Sequence, residues 1–426
     1  MKTRRLQGVS RTGRFLIKQF IKRNTELVKR TSSGNDLVVY CDHSKNPWSP
    51  ELLKGFGGSE EAVINLTRAL AKLGWDVTVY NNCGHKPVVD AGVTYRPSWE
   101  FNPKDKQDVI ILWRMTKPID WDLNARRIFV DSHDTLDESW YTKRNRIDKI
   151  DRIFVKSQFH RSLLPNIPDD KLAVIPNGID LHLLDGREPK DPYLLINTSS
   201  ADRSLDVLPK LFKEVKRRVP QARLQWAYGW DHFELFNADN PDKIRWMHQT
   251  RKDMDDAGIE TLGHLTQTDV GKLYQRGAIF AYPTEFPEID CISARKAQAC
   301  GCVPVTTDFG ALADSVQFGV KVPSPKWNIW NPGDRFHFGA ENLESQRLWV
   351  DAVVDLLTNP VKRAELAAKG AIWARQFAWP EVATRWNAIF AQLAGGVWLY
   401  EHPWVARHHV DTNCQLLLCQ RASERG

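Results

Sequence analysis

The sequence predicts an α/β protein with two doubly wound, Rossmann-like parallel-sheet domains facing one another across a cleft. Three observations predict it. The chain has 426 residues, too long for one ordinary core. Short, continuous apolar runs alternate with amphipathic helical stretches along most of its length, the mark of parallel strands covered on both faces. A polar, proline-containing stretch, "LLDGREPKDP" (Leu183–Pro192), divides this alternation into two series of similar size.

The elements follow in order. "DLVVYCD" (Asp36–Asp42) reads as a buried strand. "GGSEEAVINLTRALAKLG" reads as a helix with Ala62, Leu66, Leu70 and Leu73 on one face, ended by Gly74. "DVTVYNN", "DVIILWR", "RRIFVDSHD", "RIFVKS" and "LAVIPNGID" (Leu172–Asp180) are the further strands of the first series. "YLLINTSS", "ARLQWAYG", "IETLGHL", "GAIFAYP" and "CVPVTTD" are those of the second. Helices such as Leu205–Arg218 and Val270–Gln275 separate them, and a helical end, about Leu343–Leu393, closes the series. The expected division is a basic arm over 1–35, a first domain over 36–185, a second over 186–378, a crossover helix over 379–395 and a tail over 396–426.

Composition is that of a globular protein, 42% apolar and 26% charged. The net charge of +7 is concentrated: residues 1–30 hold ten Lys and Arg against Glu26 alone, which leaves the rest of the chain at −2. That excludes a basic nucleic-acid binder and leaves a basic arm. Leu16, Ile17, Phe20, Ile21, Leu27 and Val28 follow helical spacing between its cations, a pattern that suits either peripheral contact with an anionic membrane inner face or packing on the protein itself. Seven scattered Cys, several in apolar runs, point to reduced thiols and a cytoplasmic chain. No apolar run reaches the length of a membrane span, and the N-terminus has no signal-type apolar core. Seventeen Trp suit cores first and sugar-stacking platforms second. In the tail, His408, His409, Cys414 and Cys419 fit no metal-ligand spacing, and no metal site is expected.

Open parallel sheets bind ligands beyond the carboxyl ends of their strands. Four such ends carry chemistry. "GFGGSEEA" (Gly55–Ala62) enters the first helix with glycines that permit close backbone approach and with Ser59 as candidate N-cap. It is neither a P-loop nor a dinucleotide fingerprint. "DSHD" places His133 just past a strand, free to work on a hydroxyl or held by Asp134 as a structural pair; Arg114 has a similar position. "NTSSADRSLDVL" puts Arg203 at a strand-to-helix junction. A cation there opposes the helix dipole unless an anion, or Asp202 or Asp206, lies beside it. "AYPTEFPEIDCISARKAQACG" places Glu288 in a loop, Cys291, Ile292 and Ser293 at a helix start, and Lys296 one turn inside. Four strand ends from two domains, two of them suited to anions, imply a nucleoside diphosphate bridging the cleft.

These residues resemble the retaining glycosyltransferases of the GT-B fold, family 4. The resemblance is carried by "GGSEEAVINLTRALAKLGWDVTVY", "VIPNGID", "SSADRSLDVLPKLF", "AYGWD" and, most specifically, "AYPTEFPEIDCISARKAQACGCVPVTTDFGALAD". It spans roughly Asp36–Phe390. It implies transfer of a sugar, with retention, from a nucleoside-diphosphate sugar to a glycan, lipid-linked or other hydroxyl acceptor, with no metal or cofactor. It implies catalytic roles for Glu288 and His133 at the transferred sugar. Donor binding would fall to Arg203, Lys296, the backbone at Cys291, Ile292 and Ser293, and Gly57 and Gly58. It also implies that Phe377–Phe390 crosses back to the first domain. The sequence departs from the family twice. Arg203 falls where the family has the Lys of an Arg–Lys pair, with no clear partner before it. Lys296 replaces the second Glu of the Glu-x7-Glu signature, which grips the ribose. An ammonium donates where a carboxylate accepts. Lys296 either donates to the same hydroxyls, or reaches the diphosphate, or marks a non-catalytic nucleotide-sugar binding protein. A nucleotide-sugar epimerase is the rival enzyme, distinguished by turnover without acceptor.

Overall fold

The computed structural model describes residues 34–41, 47–51, 57–186, 188–324, 329–330 and 342–393. The basic arm up to residue 33, the tail beyond residue 393 and the Gly55–Phe56 start of the glycine turn lie outside the described residues.

Two α/β units stand in succession. The first sheet comprises β1 (Asp36–Tyr40), β2 (Asp76–Asn81), β3 (Val88–Asp90), β4 (Val93–Pro97), β5 (Gln107–Trp113), β6 (Ala125–Asp131), β7 (Arg152–Val155) and β8 (Leu172–Val174), in the spatial order β3-β4-β2-β1-β5-β6-β7-β8. All its pairings are parallel except β3–β4. The second sheet comprises β9 (Leu194–Asn197), β10 (Arg223–Trp226), β11 (Ile259–Thr261), β12 (Ile279–Tyr282), β13 (Val303–Thr307) and β14 (Val320–Val322), wholly parallel, in the order β11-β10-β9-β12-β13-β14.

Why these runs form strands is visible in β1. All five of its residues are buried. Leu37 and Val39 enter the core on one face of the sheet, Val38 and Tyr40 the core on the other. A strand with period-two side chains and two covered faces reads as a continuous apolar run. Strands β3, β4 and β14 were not foreseen, since β3 has no buried residue, β4 alternates buried with half-buried residues and β14 has three residues. The eighth strand is also shorter than expected: it stops at Val174, and Ile175–Asp180 turns toward the second unit.

Helix α1 (Gly58–Lys72) follows β1, and its C-terminus is closed by Gly74 at φ +96°. Ser59 does not cap it. Gly57 is the N-cap, without a side-chain bond, and Ser59 lies inside the first turn. The other helices used below are α2 (Gln158–Ser162), α3 (Leu208–Arg218), α4 (Pro241–Ala257), α5 (Gln267–Arg276), α6 (Ile292–Ala299), α7 (Leu343–Thr358), α8 (Pro360–Ala374) and α9 (Trp379–Leu393). The expected helical end comprises three helices, of which α9 falls where the crossover helix was expected.

The chain crosses between the units twice at one place. Ile179 N–H donates to Phe377 O at 2.8 Å on the way out, and Trp379 returns against Gly178, where a Cβ would come within 2.5 Å of the indole. Helix α9 then packs in the core of the first unit. Trp386 stacks on Phe154 at 3.6 Å, Phe390 meets Phe129, and Trp75 Nε1 donates to Asn387 Oδ1 at 2.9 Å. Lys190 Nζ, in the connecting stretch, donates to Gly277 O and Cys300 O at 2.9 and 2.8 Å, which fixes the linker to the second unit.

Candidate functional site

In each sheet the strand order reverses next to the first strand, between β1 and β5 and between β9 and β12. Loops leaving neighbouring strands there part to opposite faces and open a crevice. The segments after β1, β5, β9 and β12 carry Gly57–Gly58, Arg114, Arg203 and Glu288, with His133 after β6 beside them. The two crevices join in one cleft of about 460 Å³. All nine predicted site residues line it: Gly57, Gly58, His133, Arg203, Glu288, Cys291, Ile292, Ser293 and Lys296.

The second unit supplies the charged wall. Asn197, buried at the end of β9, donates to Ala281 O and accepts from Ser199 N–H, so the loop after β9 is tied to β12. Thr284 Oγ1 donates to Arg203 O at 2.5 Å, which ties the two loops to each other. Arg203 Nη1 then donates to Glu288 Oε1 at 2.6 Å, and Tyr282 Oη donates to the same oxygen at 2.6 Å. The guanidinium stacks on Phe286, 4.3 Å from the ring centroid. Burial disfavours its charge, but Glu288, with smaller contributions from Tyr282, Asp202 and Tyr228, outweighs this and raises the pKa above the ordinary arginine value. Arg203 Nε is buried without a hydrogen-bond partner. Of the carboxylates expected beside this cation, Asp202 accepts from Ser200, and the guanidinium bonds Glu288. Burial, and next the Glu288 charge, push the Tyr282 phenol well up.

Glu288 is held from behind. Gly310 has φ +60°, and a Cβ there would lie 2.8 Å from Glu288 O; Ala311 N–H donates to that oxygen at 2.7 Å. Only glycine permits the approach.

Helix α6 begins beside Glu288. Its N-cap, Cys291, is left-handed at φ +48°. The first turn of any helix has N–H groups without intrahelical partners, and here they belong to residues around Ile292 and Ser293. Across the cleft, α1 also starts. A Cβ on Gly58 would lie 3.5 Å from Ile292 Cδ1. Two helices therefore direct their N-termini, each with a partial positive charge, at one narrow space.

The wall of the first unit is different. His133 Nε2 lies 2.9 Å from Asp131 Oδ2, and Lys156 Nζ donates to Asp131 Oδ1. Burial raises the Asp131 pKa, but His133 and Lys156 outweigh it and hold the carboxyl at about 2. An ionised carboxylate only accepts, so neutral His133 donates from Nε2 and keeps Nδ1 as an acceptor. Burial lowers the His133 pKa, against the pull of Asp131. The structural pair expected between His133 and Asp134 is absent. Asp134 instead accepts from Arg114 through both oxygens, so Arg114, also at a strand end, is already engaged by a carboxylate. Beneath, His160 and Tyr141 bond to Ser132.

Lys296 is also engaged. Its Nζ donates to Glu61 Oε1 and Oε2 at 2.7 and 2.9 Å, across the cleft, and to Gln267 Oε1 at 3.2 Å. Sequence reasoning missed Glu61, the second carboxylate of "SEEA". It also missed Asp290, which accepts from Asn177 N–H at 2.9 Å and pairs with buried Arg295, itself over the Phe377 ring at 4.6 Å. This joins the Glu288 loop to the crossover. The signal available was a charged pair, Asp290 and Arg295, inside an otherwise apolar run.

No family model matches this sequence, and no curated protein matches it by sequence. Solved structures do match. The sucrose-phosphate synthase of Thermosynechococcus elongatus is 14% identical, with TM-score 0.62 over 84% of this chain and 99% of that one. Anabaena HepE, in complex with UDP and glucose, is 13% identical, with TM-score 0.60 over 84% and 99%. A glycosyltransferase from Rickettsia africae is 12% identical, with TM-score 0.60 over 85% and 99%. The fold is of the GT-B type.

Proposed function

We propose that this protein is a retaining family 4 glycosyltransferase that moves a sugar from a nucleoside-diphosphate sugar to a hydroxyl acceptor, a glycan or a lipid-linked carrier. One observation carries the reading: the N-termini of α1 and α6 converge on the space beside the Arg203–Glu288–Tyr282 cluster. Like-signed dipole ends facing each other are unfavourable until an anion lies between them. The three neighbours described above are a sucrose-phosphate synthase, a glycosyltransferase and HepE, the last solved with UDP and glucose, which supports the same donor class here.

The chemistry follows from the charges. Departure of the diphosphate builds negative charge at the helix ends and Arg203, and positive charge at the anomeric carbon. Donors preorganised at the leaving group stabilise it most in the transition state. Arg203, with an unpaired buried Nε, has donor capacity to give. Glu288, fixed by two hydrogen bonds and the Gly310 contact, offsets the cationic sugar. His133 contributes an acceptor at Nδ1 for a sugar hydroxyl. No metal or cofactor enters this scheme, and attack from the face of departure accounts for retention.

The test is a panel of UDP-, GDP- and ADP-sugars assayed for binding by calorimetry and for slow hydrolysis. Binding by one base and turnover that falls in Arg203→Ala support the reading. Absence of binding by all three overturns it. Binding without turnover, with and without acceptors, reduces the protein to a nucleotide-sugar binder. The anomeric proton coupling of the product, read by NMR, decides retention.

A further inference from the structure

Lys296 is the residue at which the sequence departs from the pattern it resembles, and the structure gives it a definite state. An ammonium has three N–H groups. Two go to the oxygens of Glu61 and one to Gln267 Oε1. The side chains of Lys296 and Glu61 are 9% and 12% exposed. While this arrangement stands, Lys296 has no donor for a phosphate or a hydroxyl. Glu61 is in the opposite condition. A carboxylate has about four acceptor positions, and the ammonium uses two of them. Glu61, Gln267 and Lys296 all line the cleft. What this corner offers a ligand is acceptor capacity, provided by the first unit and oriented by a cation on the second.

Its position suits one part of the proposed ligand. Lys296 lies four residues into α6, about 6 Å along the axis from the helix start. Glu288 precedes that start in the loop and is held at Arg203 and Tyr282, apart from the Lys296 partners Glu61 and Gln267. A diphosphate at the helix terminus has two substituents, one toward Glu288 and one toward Glu61 and Lys296. If the sugar occupies the Glu288 side, the nucleoside occupies the other.

We propose that Glu61 is the residue that binds the ribose. Its carboxylate accepts the hydrogen bonds of the 2′,3′-diol, and Lys296 is the positioning residue that holds it across the cleft. The assignment rests on the donor reading above. It makes nucleoside recognition depend on both walls at once, because the acceptor is on α1 and its anchor on α6.

The experiment titrates UDP, GDP and ADP, each beside its 2′,3′-dideoxy analogue, into the wild-type protein, Glu61→Gln, and the exchange Glu61→Lys with Lys296→Glu. Hydrogen bonds to a charged acceptor predict that the wild type loses about tenfold to a hundredfold in affinity when the diol is removed. Glu61→Gln should bind the ribonucleotide weakly and lose much less on removal of the diol. The exchanged pair, which returns a carboxylate to the same corner, should recover the diol preference. A Glu61→Gln protein that keeps the full diol preference overturns the assignment and leaves Glu61 as a bridge between the walls. Binding reduced equally for both analogues has the same meaning. Failure of all three nucleotides to bind the wild type overturns the donor reading itself, and this assignment with it.

Discussion

The two walls of the cleft carry similar charges in opposite conditions. On the first unit, Asp131, His133 and Lys156 have side chains 5%, 3% and 2% exposed and satisfy one another. On the second, the Arg203 side chain is 34% exposed, stacks on Phe286 and leaves Nε unpaired. The first wall spends its charge internally and gains a rigid imidazole of fixed tautomer. The second keeps donor capacity at the edge of the cleft. Burial and pairing, more than residue type, decide which charges are available for chemistry.

This contrast is open to test. Lys156→Met should have the largest effect. It leaves Asp131 buried with half its partners, and removing one member of a buried pair costs about 3–5 kcal/mol. Denaturant unfolding measures it. The His133 pKa, followed by NMR, should also rise, because the repelling ammonium is gone. Arg203→Met leaves Glu288, 8% exposed, with Tyr282 as its remaining partner, and should cost somewhat less, since the guanidinium it removes is 34% exposed and carries an unsatisfied donor. Equal costs on both walls would erase the contrast.

Activity should divide the other way. Glu288→Ala should lower turnover by about 10²–10³-fold, the range for losing a preorganised electrostatic contact. His133→Ala should lower it by about tenfold or less, the worth of one neutral hydrogen bond. A larger loss at His133 would make the first wall the chemical one.

Acid should weaken the first wall first. Burial, then the charges of Lys156 and His133, lower the His160 pKa to about 3. The unfolded chain takes up this proton near 6.5, the folded one only near 3, so the unfolded state binds more protons between these values. The contribution to stability is complete above pH 6.5 and is lost on acidification, by up to about 1.4 kcal/mol per pH unit. Melting of the wild type at pH 7 and pH 5 should show the drop, and His160→Gln, though less stable, should show a shallower one. Gly310→Ala tests the support behind Glu288. A left-handed alanine costs about 1–2 kcal/mol, and the contact with Glu288 O should move that carboxylate and reduce turnover with the nucleotide affinity little changed.

Much of the fold was legible because parallel strands covered on both faces need unbroken apolar runs, as in β1, β5 and β12. Of the strands missed, β3 and β14 are three-residue strands at the sheet edges, and β4 alternates buried with half-buried residues, so none shows an unbroken apolar run. At the site, strand-end position was enough to nominate Arg203, Glu288 and His133. Their partners were not legible. Asp134 adjoins His133 yet bonds Arg114, while Asp131, at the end of β6, takes the imidazole. Direction along the chain does not give side-chain direction in a loop.

The sequence by itself determined two doubly wound units, their order, and which residues stand at the carboxyl ends of their strands. Local periodicity and turn chemistry suffice for that. Only the tertiary structure decided what those residues meet. Arg203 and Glu288 are 85 residues apart and Glu61 and Lys296 are 235 apart. Their encounters follow from strand order at the switch points and from the closing of one sheet on the other. An ionic contact between two domains has no sequence period, because it depends on the distance between bodies whose separation no local pattern encodes.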